Sequence, residues 1–157
     1  MDLSLAWEYV ADGVMGGVSE GKMRQETRQG HKASVLYGDV SMDNSGGFVQ
    51  MAFDLRPDGT AFDASNWTGL ELDVSGNGER YDIRLRTDQL TRPWKSFRTE
   101  FTAAPEWQTL KIPFSTFKSH KTDALFDAAQ LRRIGVLAIG REFQADVAVA
   151  NMRLYRV

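Results

Sequence analysis

The sequence has 157 residues, of which 42% are hydrophobic and 25% charged, and this size and balance fit one globular domain able to bury its own core. The formal net charge of −2 supplies no global field for nucleic acid or an anionic membrane surface. The complete absence of cysteine excludes disulfides, thiolate metal sites and a cysteine nucleophile together.

Taken in chain order, the first residues, Met-Asp-Leu-Ser-Leu-Ala-Trp-Glu, carry neither a basic stretch nor the apolar run of a signal peptide. No apolar run approaches the roughly 20 residues that a membrane-spanning helix requires. A cytoplasmic protein that does not span a membrane is the expectation.

A glycine-rich stretch follows. Gly17-Val18-Ser19-Glu20-Gly21 matches the G-x-S-x-G string of a nucleophile elbow. That motif works only at a sharp turn between a strand and a helix. Here the residues that follow, Lys22–Gln29, are polar and strand-like, and His31 and His120 are the two histidines that could serve as a base. The same stretch approaches a phosphate-binding loop, with Gly16, Gly21 and Lys22, but Met23 stands where that loop needs a hydroxyl for magnesium.

Short alternating runs dominate the rest. Strands are predicted near Lys32–Val40 and Gly47–Leu55. Leu70, Leu72 and Val74 alternate with Glu71, Asp73 and Ser75, and Tyr81, Ile83 and Leu85 alternate with Asp82, Arg84 and Arg86. Asn77-Gly78 between these runs predicts a β-hairpin with a tight turn. Further strands are predicted near Ser96–Thr102, Gln108–Ile112, Arg133–Ile139 and Val147–Arg156, and a helical turn or two over Asp123–Leu131. The run Arg133–Gly140 is apolar on both parities, as in a strand covered on both sides. This pattern predicts an all-β fold: a single antiparallel two-sheet sandwich of jelly-roll type over residues 1–157.

Several residues are candidates for a site. Asp82, Arg84, Arg86 and Arg98 fall on the polar parity of neighbouring strands, and Trp94 lies on the intervening loop after Pro93. Arginines beside an aromatic ring can grip a carboxylate, a phosphate, a sugar ring or a protein partner. A charged sheet face laced with acid pairs explains the same residues without a ligand. Two isolated histidines offer no metal-ligand spacing, so neither a metal nor a cofactor is expected, with a structural calcium held by carboxylates and backbone carbonyls as the open alternative to solvated surface acids.

Trp7, the segment Asp12-Gly13-Val14-Met15-Gly16-Gly17-Val18-Ser19, and Gly38-Asp39-Val40-Ser41 with Asn44-Ser45-Gly46-Gly47-Phe48 form a distinctive series. Gly76-Asn77-Gly78, Tyr81, Arg86-Thr87, Trp107, Ile112-Pro113-Phe114 and Phe117 continue it. In this order they resemble the complex I intermediate-associated protein 30 family, whose domain is similar to galactose-binding-like jelly rolls. The resemblance implies a non-enzymatic role, since mitochondrial members are assembly chaperones for the respiratory NADH:ubiquinone oxidoreductase. Without a transit peptide, the chain looks like a bare, stand-alone bacterial-type member. Its glycine-rich loops could pack architecturally, or Asp12, Ser19 and Asn44 could project from them into a polar site.

Three functions remain in view. The leading one is a non-catalytic domain that recognises a protein partner, such as a respiratory-complex subunit or assembly intermediate. The others are a carbohydrate or small-ligand binding module, and a hydrolase using Ser19.

Overall fold

The computed structural model describes residues 1–11, 17, 19–43 and 47–157. Among these described residues eleven strands form two antiparallel sheets: β1 (Glu8–Ala11), β2 (Glu20–Arg28), β3 (His31–Val40), β4 (Phe48–Asp54), β5 (Gly69–Gly76), β6 (Arg80–Thr87), β7 (Ser96–Thr102), β8 (Gln108–Pro113), β9 (Lys118–His120), β10 (Leu131–Ile139) and β11 (Phe143–Tyr155). One sheet has six strands in the order β1-β4-β10-β6-β7-β9, and the other has five in the order β2-β3-β11-β5-β8. The all-β sandwich is the predicted one.

The inward parity of each strand makes the core. Met51 and Phe53 of β4, Tyr81, Ile83 and Leu85 of β6, Phe97 of β7 and Ile134 and Val136 of β10 face Leu70, Leu72 and Val74 of β5 and Val147 and Val149 of β11. At about 25 cal/mol per Å² of apolar surface, burial of these side chains is what holds the two layers together. A bulge lies between Val149 and Met152 of β11, so both Val149 and Met152 point inward although they are three residues apart.

The Asn77-Gly78 hairpin is overturned. β5 and β6 lie in different sheets, and the turn between them crosses from one layer to the other. Gly78 takes a left-handed φ of 83°, but the polar groups of the turn bond elsewhere. The Gly76 and Gly78 amides donate to the carbonyls of Ala104 (2.9 Å) and Ala103 (2.7 Å), and the Asn77 side-chain amide donates to the Gln144 carbonyl (2.9 Å). A hairpin and a crossing turn give identical alternation, because either way one face of both strands points into the core. A two-residue hairpin does form at Gln29-Gly30, whose φ values of 49° and 81° match a primed turn, with Arg28 opposite His31.

One other expectation changes. The predicted helical segment Asp123–Leu131 forms only a 3-10 turn at Ala128–Gln130, capped by the Asp127 carboxylate accepting from the Ala129 amide (3.0 Å). β10 is buried on both parities from Ile134 to Ala138, as expected of a strand covered on both sides. Its second apolar parity, Gly135 and Leu137, lies in a groove on the outside of the sandwich.

Candidate functional site

Strand register lays out the outer face of the six-stranded sheet as rows of neighbouring side chains. In the first row Asp54, Arg133 and Arg86 lie side by side, and Ser96 lies opposite His120. Continuing the pairing of Leu85 with Phe97 by one residue places Arg86 beside Ser96, so the row runs unbroken. The second row reads Ala52, Gly135, Arg84, Arg98 and Lys118. The third reads Gln50, Leu137, Asp82 and Glu100.

These rows line a groove of about 630 Å³, with Trp94 and Pro93 at its margin and Gly135 in its floor. Glycine in a central strand marks close approach of something to the backbone. A Cβ added at Gly135 would lie 3.1 Å from Gln50 Oε1 and 3.3 Å from Leu137 Cδ1, so the missing side chain is what gives the floor its depth. A smaller hollow of about 360 Å³ adjoins it over Asp82, Arg98 and Glu100.

The structure brings together five of the eight candidates. Asp82, only 4% exposed, accepts from Arg84 Nε (3.0 Å) and Nη2 (2.9 Å), and from Arg98 Nε and Nη2 (both 2.9 Å). Arg98 also donates to Glu100 (2.7 Å), and its hydrogen bonds to Asp82 are the main reason its guanidinium holds its proton more tightly than usual. Asp82, Arg84 and Arg98, with Glu100 as the second acid, thus form an internally neutralised network, which is the ligand-free explanation for these residues.

Arg86 differs. Its Nη2 donates to the carbonyls of Arg92 (3.2 Å) and Leu90 (3.5 Å), holding the loop that carries Trp94. Burial, then the like charges of Arg132 and Arg133, pulls its pKa below the usual arginine value. Trp94 is 55% exposed, with the Arg92 guanidinium 5.8 Å from its ring centroid.

The other three candidates do not join them on described geometry. Ser19 precedes β2, where its hydroxyl donates to the Ser41 carbonyl (3.1 Å) and accepts from the Ser41 amide (2.8 Å). The G-x-S-x-G string therefore leads into a strand, not the helix that a nucleophile elbow requires. Asp12 and Asn44 lie outside the described residues. Among the described residues no group of three His, Asp or Glu side chains gathers to hold a metal ion.

Ser96, Lys121, Gly135 and Leu137 also line the groove and were not singled out in the sequence, whereas His120, named there only as a possible base, lies beside them. Burial, then Arg84, Lys121 and Arg98, lowers the His120 pKa, so the imidazole is neutral at pH 7. A glycine inside the apolar run of β10 was the one available signal.

On the outer face of the five-stranded sheet the described side chains bond to one another. Glu26 accepts from Tyr37 (2.7 Å) and Arg28 (2.9 Å), Arg24 lies 4.4 Å above the Tyr37 ring, and Trp107 packs on His31 at 4.7 Å.

Two antiparallel sheets packed face to face, with a groove on the outer face of one, define an all-β jelly-roll domain. Its residues 2–147 match the profile of the complex I intermediate-associated protein 30 family, and the chain belongs to that family. Among solved structures, it is similar to a family 11 carbohydrate-binding module from Clostridium thermocellum in complex with a β-1,3-1,4-mixed-linked tetrasaccharide. That match has 17% identity and a TM-score of 0.76, covering 98% of this chain and 91% of the module. A family 11 module of a cellulosomal cellulase from the same organism matches at 16% identity and a TM-score of 0.77, over 98% and 89% of the two chains. A family 30 module of another of its cellulosomal cellulases matches at 18% and 0.73, over 99% and 95%. At such identities the likeness is one of fold.

Proposed function

We propose that this domain is a non-catalytic binding module whose recognition surface is the outer face of its six-stranded sheet, and that it docks an extended segment of a protein partner. The groove carries this reading: its floor is apolar at Ala52, Gly135 and Leu137, cations line one side, and Trp94 stands exposed at the margin. Exposed aromatic and arginine side chains beside an apolar floor are the ingredients of a protein-recognition patch. Membership of a family described as complex I intermediate-associated favours an assembly intermediate of the respiratory NADH:ubiquinone oxidoreductase as the partner. The same reading places the protein in the cytoplasm, and among the described residues no helix is long and apolar enough to cross a membrane.

A carbohydrate ligand is the second reading, favoured by one observation. The sandwich is shared with carbohydrate-binding modules, and Trp94 offers a ring on which a sugar could stack. Affinity capture from native membrane and cytosolic extracts, with Arg86→Gln and Trp94→Ala in parallel, separates the two. A partner held by the wild type and lost by both variants supports docking. Retention of that partner by the variants overturns it, as does retardation of the wild type alone in a gel containing mixed-linked β-glucan.

A further inference from the structure

Charge accounting across the groove leaves, among the described residues, one half-buried arginine without a carboxylate. Arg84 and Arg98 share Asp82, and Arg133 is held by Asp54 at 3.0 Å and Glu8 at 3.7 Å. Arg86 has no carboxylate within ion-pair distance among the described residues, since Asp54, whose charge it feels, is bound to Arg133. Its Nε is buried and makes no hydrogen bond. The next side chain in the row, Ser96, is 3% exposed, and its hydroxyl is likewise buried without a partner. Lys121 stands exposed at the rim beyond His120 in a left-handed backbone conformation (φ 57°), with no acid paired to it among the described residues.

Two idle donors side by side in a groove wall are costly, because a buried polar group without a partner loses its hydration for nothing. Placing Arg86 next to Arg133 adds like-charge repulsion across the strand pair. An anion lying between Arg86 Nε and Ser96 Oγ removes both penalties at once. The guanidinium fork favours a planar carboxylate, and Nη2 stays fixed by the Arg92 carbonyl, so the donor is already oriented.

We propose that this end of the groove is a carboxylate-recognition subsite, in which Arg86 and Ser96 take an acidic side chain of a protein partner's extended segment. The proposal rests on the docking reading above and specifies its chemistry. A segment running along the strands repeats its side chains on one face every two residues, about 7 Å, which is also the spacing of the rows. An acidic residue over Arg86 and Ser96 then leaves the next apolar residues over Gly135 and Leu137. An acidic sugar fits less well, because its ring hydroxyls would lie unpaired over Ala52, Gly135 and Leu137.

The test is a titration of nitrogen-15-labelled protein followed by NMR, with three probes. They are a blocked heptapeptide with glutamate at its second position, leucine at its fourth and sixth and serine between them, so that one face carries the acid followed by two apolar residues, its counterpart with glutamine in place of the glutamate, and trigalacturonate. The glutamate peptide is expected to shift the resonances of Arg86, Ser96, Gly135 and Leu137 and to bind at least tenfold more tightly than the glutamine peptide. Arg86→Gln should abolish that preference, and Ser96→Ala, a smaller perturbation that keeps the loop contacts, should reduce it severalfold. Raising the salt should shrink it as well. Equal binding of the two peptides in the groove would overturn the carboxylate subsite and leave the docking reading standing. Groove shifts with trigalacturonate and neither peptide would overturn the protein segment as occupant. If no probe moved a groove resonance, both readings would fall together.

Discussion

Replacing Asp82 by Asn tests whether the charge network beneath the groove is structural. Asp82 is 4% exposed and accepts four charge-assisted hydrogen bonds, two from each of Arg84 and Arg98, which are themselves register neighbours. Asparagine keeps the shape but removes the charge, and turns an amide N–H toward two guanidinium groups. Breaking a buried ion pair by removing one partner costs about 3–5 kcal/mol. The lower end applies here, because Arg98 is 32% exposed and keeps Glu100, whereas Arg84 is 16% exposed and loses its one acid partner. A loss of about 3 kcal/mol corresponds to a fall in Tm of about 6–12 °C for a domain of this size. Urea unfolding at neutral pH gives the free energy and calorimetry gives the Tm. The companion triple variant Asp82→Leu, Arg84→Met, Arg98→Met removes the buried acid with both of its arginines, leaves the exposed Glu100 to Arg80, and should lie within about 1–2 kcal/mol of the wild type. A loss below about 1 kcal/mol in Asp82→Asn would show that the network is only a solvated surface cluster and would refute the reasoning.

Four further outcomes are expected. His120 has a lowered native pKa, so the unfolded chain takes up its proton first and stability falls as pH drops through about 6.5; urea midpoints at pH 7.5 and 5.5 should differ in the wild type and much less in His120→Gln. Tyr81 donates to Asn77 Oδ1 (2.6 Å) and accepts from the Asp146 amide (3.0 Å), so Tyr81→Phe should cost about 1–3 kcal/mol in urea unfolding. Burial pushes the Tyr81 phenol up to about 12, and absorbance titration of the folded protein should show one tyrosine ionising at that pH. Gly135→Leu should fill the groove floor and weaken any groove ligand more than tenfold in calorimetric titration, with Tm lowered by a few degrees because the new Cβ meets only side-chain atoms.

The strands were legible because their inward residues alternate without a break, as at Leu70-Leu72-Val74 and Tyr81-Ile83-Leu85. What alternation cannot carry is the identity of each strand's neighbour. Asn77-Gly78 therefore read as a hairpin and proved to be a crossing between sheets, while Gln29-Gly30 makes the two-residue hairpin without any such signature. The short strands β1 and β9 have too few residues to show a period, yet β9 delivers His120 to the groove. Asp82, Arg84, Arg86 and Arg98 share the expected face, because parity along β6 and β7 was readable. Their division into a neutralised set and an unneutralised Arg86 was not, since it depends on β10 bringing Arg133, together with Asp54 of β4, alongside β6. Gly135 and Leu137 were hidden for the same reason: a both-parity apolar run suits a covered strand and a groove floor equally well.

The most direct measurement of the central claim is photo-crosslinking from the two outer faces. A benzophenone side chain placed at Gln50, in the groove, is compared with one at Thr109, on the outer face of the five-stranded sheet, each irradiated in native extract. If the six-stranded face is the recognition surface, Gln50 yields a discrete protein adduct, its crosslinked peptide contains an acidic residue flanked by apolar ones, and Arg86→Gln abolishes it. Adducts of the same protein from Thr109 alone, or equally from both faces, would contradict the account.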